Sequence, residues 1–183
     1  VYLDENNNVR LTSKIKKEIL KSCIYGVDID PQAVEVTKMS LSLKALEDTT
    51  HYEIHNELNQ TCILPSLEGN IRCGNSLLEW ESEFKFIFDS GGFDIIVGNP
   101  PWLMAGYYHH NIINFLYEKY QSAFGKFDLY YLFVEKSLKK LVSNSGTIGF
   151  IIPNKFFHTK SANRLRKLIT SSQKIKEIID FGY

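Results

Sequence analysis

The chain has 183 residues, 44% hydrophobic and 23% charged, which is enough for a domain with a real core and ordinary for a globular protein. Lysine plus arginine balances aspartate plus glutamate at 21 each, so no overall basic excess marks the chain as a nucleic-acid binder, although charge can still be segregated by face. No signal peptide and no 18-residue apolar run is present, which argues against secretion and against a membrane span.

The first predicted element is a helix over Leu11–Ser22 (LTSKIKKEILKS), with Leu11, Ile15, Ile19 and Leu20 near one face. A short buried strand follows in CIYGVDID (Cys23–Asp30). The next helix starts at once: Asp30 is its candidate N-cap and Pro31 its first-turn proline, with Ala33, Val36, Leu41 and Leu43 on a broad apolar face. Residues 49–69 are polar and irregular, with Pro65 and Gly69. Asn70–Leu78 (NIRCGNSLL) reads as a strand and turn, and residues 79–92 as helical turn and loop. FDIIVG (Phe93–Gly98) is a strong buried strand. Residues 103–124 hold a loop and a helix. FDLYYLFVEKSLKKLV (Phe127–Val142) is an amphipathic helix, SNSG a turn, and TIGFIIP (Thr147–Pro153) another buried strand. Ser161–Ser172 is a helix and Ile175–Phe181 a last strand.

Strands and helices alternate, and the strands are near-continuous apolar runs. The fold class is therefore α/β, with a mostly parallel sheet covered on both faces. Ligands of such sheets bind at the C-terminal ends of strands. Asp28–Asp30, Asn75 and Asn99–Trp102 all fall at such ends. Cys23, Cys62 and Cys73 form no C-x-x-C pair and read as reduced, partly buried thiols of a cytoplasmic protein.

Asn99-Pro100-Pro101-Trp102 is stiff and rich in acceptors. The prolines fix φ and remove two N–H donors, and Pro100 biases Asn99 away from helix. The Asn99 side-chain oxygen and the Pro100 carbonyl can accept the two protons of a planar amine, such as that of adenine, while Trp102 stacks on the ring. A base in a duplex must first be flipped out. The alternative is a rigid strand-to-loop turn with a core tryptophan.

Asp28 can take both ribose hydroxyls of a nucleotide cofactor, with Ile29 against its base, or it can simply solvate a strand end; Asp30 is a cap. Asn75, with Ser76 beside it, can meet a cofactor adenine amine or serve as a turn residue. Phe133 taken alone is a core residue. His109 and His110 are adjacent and have no third ligand nearby, so no metal is expected. Lys155, Lys160, Arg164, Arg166 and Lys167 form a solvated basic face, of which Lys155 and Lys160 lie near a strand end and can meet phosphate.

YGVDIDPQAVEVTKMSLSLKAL, GNSLL, FDIIVGNPPW, FDLYYLFVEKSLKKL and GTIGFIIPNKFF together resemble the adenine-N6-specific DNA methyltransferases. The likeness is greatest to the type IIG restriction–modification enzymes, which fuse methyltransferase and nuclease, and to phage-defence methyltransferases. It covers about Tyr25 to Phe157 in the family's order of motifs. It implies a Rossmann-like S-adenosylmethionine-dependent methyltransferase sheet with helices on both faces. Asn99, Pro100, Pro101 and Trp102 would then be the catalytic segment gripping a flipped adenine in double-stranded DNA. Asp28, Ile29, Asn75, Ser76 and Phe133 would bind S-adenosylmethionine.

Asn75 stands where the family often has Asp, and Trp102 where Tyr is commoner. The Gly-rich cofactor loop and first strand, a later aromatic motif and a target-recognition domain are absent from the chain. The expectation is thus a partial catalytic domain over 1–183, with a helical lead-in to residue 22 and the motif-bearing core from residue 23. Such a piece of a longer enzyme would be inactive alone, with exposed sheet edges that favour self-association or a rearranged sheet. Glutamine-N5 protein methyltransferases and RNA methyltransferases share the Asn-Pro-Pro-aromatic segment. A DNA-specificity module without catalysis is the non-enzyme alternative. The DLYYLFVEKSLKKL and FIIPNKFF context favours DNA methylation.

Overall fold

The fold is that of a computed structural model describing residues 2–3, 7, 9–47, 64–78, 80–172 and 174–182. Most of the polar stretch predicted from residue 49, and Cys62 with it, lies outside the described residues. The chain divides into two compact units, Val1–Trp80 and Glu81–Tyr183.

The first unit opens with two short antiparallel strands, β1 (Tyr2–Leu3) and β2 (Val9–Arg10). Helix α1 (Ser13–Cys23) starts where the Thr12 side chain accepts the Ile15 N–H. Strand β3 (Gly26–Asp28) leads into α2 (Pro31–Leu46), and the predicted cap is there: the Asp30 carboxylate accepts the Gln32 N–H at 2.9 Å. Strand β4 (Ile71–Cys73) runs parallel to β3, with Gly26 opposite Ile71 and Asp28 opposite Cys73. Leu20, Val34, Ala45, Leu67 and Ile71 form the core, each large side chain contributing about 1.5–3 kcal/mol by leaving water. The buried Asn70 amide donates to the carbonyls of Lys21 at 2.9 Å and Ile24 at 3.0 Å, which closes the C-terminal end of α1.

Helix α2 departs from its predicted face. Val34 and Ala45 are buried and Leu41 packs against them, whereas Val36 and Leu43 are exposed. At 100° per residue, a two-residue offset turns a side chain almost to the opposite side. Apolar residues on both sides of α2 made the face ambiguous. Cys23 and Cys73 are also exposed free thiols rather than partly buried ones; each ends its element, where the chain leaves the core.

In the second unit, α3 (Lys85–Asp89) turns through Gly91 and Gly92, at φ 107° and 100°, into β5 (Phe93–Gly98). Helix α4 (His110–Lys119) and helix α5 (Tyr130–Lys136) follow, and α5 continues as a π-helical turn over Ser137–Leu141. Strand β6 (Val142–Phe150) pairs parallel with β5, Ile95 opposite Thr147 and Gly98 opposite Phe150. Two 3-10 turns then lead to α6 (Asn163–Ser172).

Three expectations change here. SNSG is not a free turn but lies inside β6, where the register slips between Phe93 and Ile95. The long helix predicted to Val142 ends at Leu141 through the π turn. Ile175–Phe181 forms no ladder among the described residues, and Ile178, Ile179 and Phe181 are exposed: an apolar run becomes a strand only with a neighbour to bond. The architecture is mixed α/β with short parallel strand pairs. It is not covered on both faces throughout, since Val97 is 78% exposed and Ile95 and Ile151 are exposed as well. No helix among the described residues is long and apolar enough to cross a membrane.

Candidate functional site

In the first unit, Asp28, Ile29, Asn75 and Ser76 gather at the C-terminal ends of β3 and β4. The parallel register sets this up, because Asp28 lies opposite Cys73 and its carbonyl accepts the Gly74 N–H at 2.9 Å. One Asp28 carboxylate oxygen accepts the Asp30 N–H at 2.8 Å, which fixes the side chain at the strand end while it stays exposed. Ile29 is 68% exposed, a bare apolar surface next to that carboxylate. The Asn75 side-chain oxygen accepts the Leu77 N–H at 2.9 Å, so the turn reading of Asn75 holds in local geometry. Ser76 donates to the Val27 carbonyl at 3.2 Å and braces its turn against β3.

In the second unit, Asn99-Pro100-Pro101-Trp102 leaves the end of β5. The Gly98 carbonyl accepts the Ile151 N–H at 3.2 Å, so the sheet holds the chain up to the residue before Asn99. Pro100 is buried while Asn99, Pro101 and Trp102 are exposed, Trp102 by 55%. Pro100 thus anchors the segment, and the indole is not a core tryptophan. The Asn99 amide makes no hydrogen bond among the described residues. The residue is exposed on a segment that two prolines stiffen.

The segment is then tied down on its far side. Leu129 N–H donates to the Leu103 carbonyl and Ala105 N–H to the Phe127 carbonyl, both at 2.9 Å, around an antiparallel bridge between Met104 and Asp128. The residues just after Trp102 are therefore fastened to the start of α5. From Phe127 to Ser137 every residue is buried except Phe133. Phe133 is thus not a plain core residue, and it keeps part of its ring accessible.

Two carboxylates of this unit escaped sequence reasoning. Asp128 is buried and meets the Lys155 ammonium at 3.1 Å, joining the start of α5 to the chain after β6. Lys155, weighed above as a phosphate contact, is therefore already paired. Glu135 is buried on α5 and accepts the Ser122 N–H at 2.7 Å, the Gln121 N–H at 3.1 Å and the Lys139 ammonium at 2.8 Å. An acid just ahead of an apolar helix was the available signal for Asp128; for Glu135 it was the i,i+4 spacing to Lys139 on the same predicted helix. The Tyr130 hydroxyl is buried without a hydrogen-bond partner among the described residues, and burial pushes its pKa far above the ordinary phenol value.

Residues 22–183 match the Eco57I restriction-modification methylase family. The chain belongs to that family. Among family relatives, the type II restriction enzyme and methyltransferase RM.Eco57I of Escherichia coli is 34% identical over 94% of this chain and 18% of its own length. The type II methyltransferase M.BstVI of Geobacillus stearothermophilus is 28% identical over 88% of the chain and 26% of its own. The type II methyltransferase M.PaeR7I of Pseudomonas aeruginosa is 26% identical over 82% of the chain and 26% of its own. The chain thus spans about a quarter or less of the length of these relatives. The match to the Eco57I family contains both residue groups described above, the strand ends of the first unit and the Asn99–Trp102 segment of the second.

Proposed function

We propose that the protein containing this chain transfers a methyl group from S-adenosylmethionine to N6 of a flipped adenine in double-stranded DNA. It would work in a cytoplasmic type IIG restriction–modification or phage-defence system. The observation carrying this reading is exposed Asn99, its amide without a hydrogen bond among the described residues, next to buried Pro100 at the end of β5 and followed by an exposed indole. Membership of a restriction-modification methylase family and the names of the relatives support it. A Rossmann-like fold with helices on both faces of its sheet is part of this reading.

The residues fit the cofactor. Asp28 has one carboxylate oxygen held by the Asp30 N–H and the other available to a ribose hydroxyl. Exposed Ile29 offers an apolar face for its adenine ring, with Asn75 and Ser76 assigned to the ring edge; Phe133, half-buried, is the cofactor residue assigned in the second unit. When bound, S-adenosylmethionine supplies an electrophilic methyl group on sulfonium. The chain's own work is on the target. The Asn99 oxygen and the Pro100 carbonyl accept the two N6 protons, drawing the amine toward tetrahedral geometry and localising its lone pair. Trp102 stacks on the base, worth about 1–3 kcal/mol. Positioning and polarisation then carry the displacement, and the extra proton leaves after transfer.

The test uses the full-length protein, labelled S-adenosylmethionine and duplex DNA, with the nucleosides separated after digestion. The expected product is N6-methyladenine, and Asn99→Ala lowers its rate by about 100-fold or more. Label found only in protein or RNA would overturn the DNA reading in favour of the amide-nitrogen or RNA relatives.

A further inference from the structure

The chain carries no net charge, yet residues 155–172 contain Lys155, Lys160, Arg164, Arg166 and Lys167 and neither aspartate nor glutamate. The structure sorts these cations. Lys155 is neutralised by Asp128. Arg166 is turned inward, donating to the carbonyls of Phe156 at 2.6 Å and Thr159 at 2.8 Å. Arg164 lies over the Phe124 ring at 4.4 Å and reaches the Gln121 carbonyl at 3.4 Å, so its position is held while its charge stays uncompensated. Lys160 and Lys167 are exposed and make no hydrogen bond or ion pair among the described residues.

The helical period places the last three together. Leu165 is fully buried on α6, and Leu168 and Ile169 are half-buried. Residues 160, 164 and 167 recur at steps of four and three on the opposite side. Lys160 stands in the 3-10 turn that runs directly into α6. The stripe is about 10 Å long at ~1.5 Å per residue, which matches about three phosphates at ~3.4 Å of axis per strand. It sits on the unit that holds Asn99: Ser161 Oγ lies 3.3 Å from the Tyr131 hydroxyl, and Lys155 bonds Asp128, which bridges to Met104 just after Trp102.

We propose that Lys160, Arg164 and Lys167 form a backbone-contacting stripe for duplex DNA that holds the helix without reading its sequence. The inference rests on the DNA reading above and adds where the phosphates lie. A line of evenly spaced, uncompensated cations complements a line of phosphates. The immobilised guanidinium in the middle lowers the entropy lost on contact.

The test is the salt dependence of duplex binding by the full-length protein, followed by fluorescence anisotropy on DNA with and without the target sequence. Replacing both lysines, Lys160→Gln with Lys167→Gln, is expected to flatten the plot of log affinity against log salt by about 1.8, at about 0.9 per lost contact, on both DNAs alike. The charge-keeping pair Lys160→Arg with Lys167→Arg is expected to retain the parent slope. An unchanged slope in the glutamine pair, in a protein that still methylates DNA, would overturn the stripe alone. A flattened slope in the arginine pair would assign the effect to altered folding and overturn it too. A parent protein that binds no duplex would overturn both the stripe and the DNA reading.

Discussion

Glu135 is a buried carboxylate that the proposed chemistry does not use. Burial opposes its charge, but hydrogen bonds from Lys139, Ser122 and Gln121 outweigh that and hold its pKa below the ordinary carboxylate range. A depressed folded-state pKa means that the group stabilises the fold above its unfolded-state value. That contribution fades as pH falls through the lower folded-state value. Glu135→Gln is therefore expected to cost about 1–3 kcal/mol at pH 7, and the gap to the parent should narrow under acid below the ordinary glutamate value of 4.5. Urea unfolding of the two full-length proteins at pH 7 and pH 3 checks this; an equal gap at both would assign the loss to packing. At this scale the place where Asn-Pro-Pro-Trp ends β5 was legible, because two prolines break a strand by their own geometry. The contacts of Asn70 and Asp128 were not, since each acts on backbone or charge remote in sequence: Asn70 on carbonyls 46 to 50 residues away, Asp128 on Lys155. Glu135 has Lys139 four residues on, but its backbone donors are 13 and 14 residues away.

Among the elements, the β5–β6 pair combines what the sequence reveals with what it conceals. FDIIVG announced β5 by the β-branched run Ile95-Ile96-Val97. SNSG carried turn composition and lies within β6 at the slip itself, where the register passes from Val142, opposite Phe93, to Thr147, opposite Ile95. Gly146 makes the slip possible. A Cβ there would stand 2.8 Å from the Phe93 carbonyl oxygen, 2.9 Å from that of Asp94 and 2.5 Å from a Val142 methyl. Two of these are backbone atoms of the facing strand and cannot swing away. Gly146→Ala is expected to cost about 1–3 kcal/mol and lower the melting temperature. Gly106→Ala, where the added carbon meets nothing within 4 Å, should stay within about 0.5 kcal/mol. Similar losses in both variants would contradict the crowding at the slip. Dependence on neighbours explains Ile175–Phe181, whose apolar pattern is a strand in waiting rather than a strand.

The whole molecule exposes more apolar surface than its sequence pattern predicts. Val36, Met39 and Leu43 line the outer side of α2, and Ile95, Val97 and Ile151 stand exposed in the second unit. Near pH 7.1 the chain also has almost no net charge to keep copies apart. Prepared as residues 1–183, it is expected to self-associate at neutral pH, with its lowest solubility near pH 7. Light scattering across pH 5–9 checks this, and a monodisperse monomer at neutral pH and tens of micromolar would contradict it. Alternating strands and helices fixed the fold class from sequence, but coverage of each face is a property of packing that no pattern states. The fastening of Ala105 to Phe127 has a consequence of another kind. The 21 residues between them leave and return to one hydrogen bond, with Tyr107 exposed near the exit. Because closing a loop grows costlier only with the logarithm of its length, by about 0.6 kcal/mol per doubling, this excursion can lengthen with little penalty. Insertions at its exposed exit beside Tyr107, ahead of α4, would leave Trp102 and the Gln121 and Ser122 bonds to α5 in place. It is a natural port for grafting new sequence, whether by evolution or by engineering.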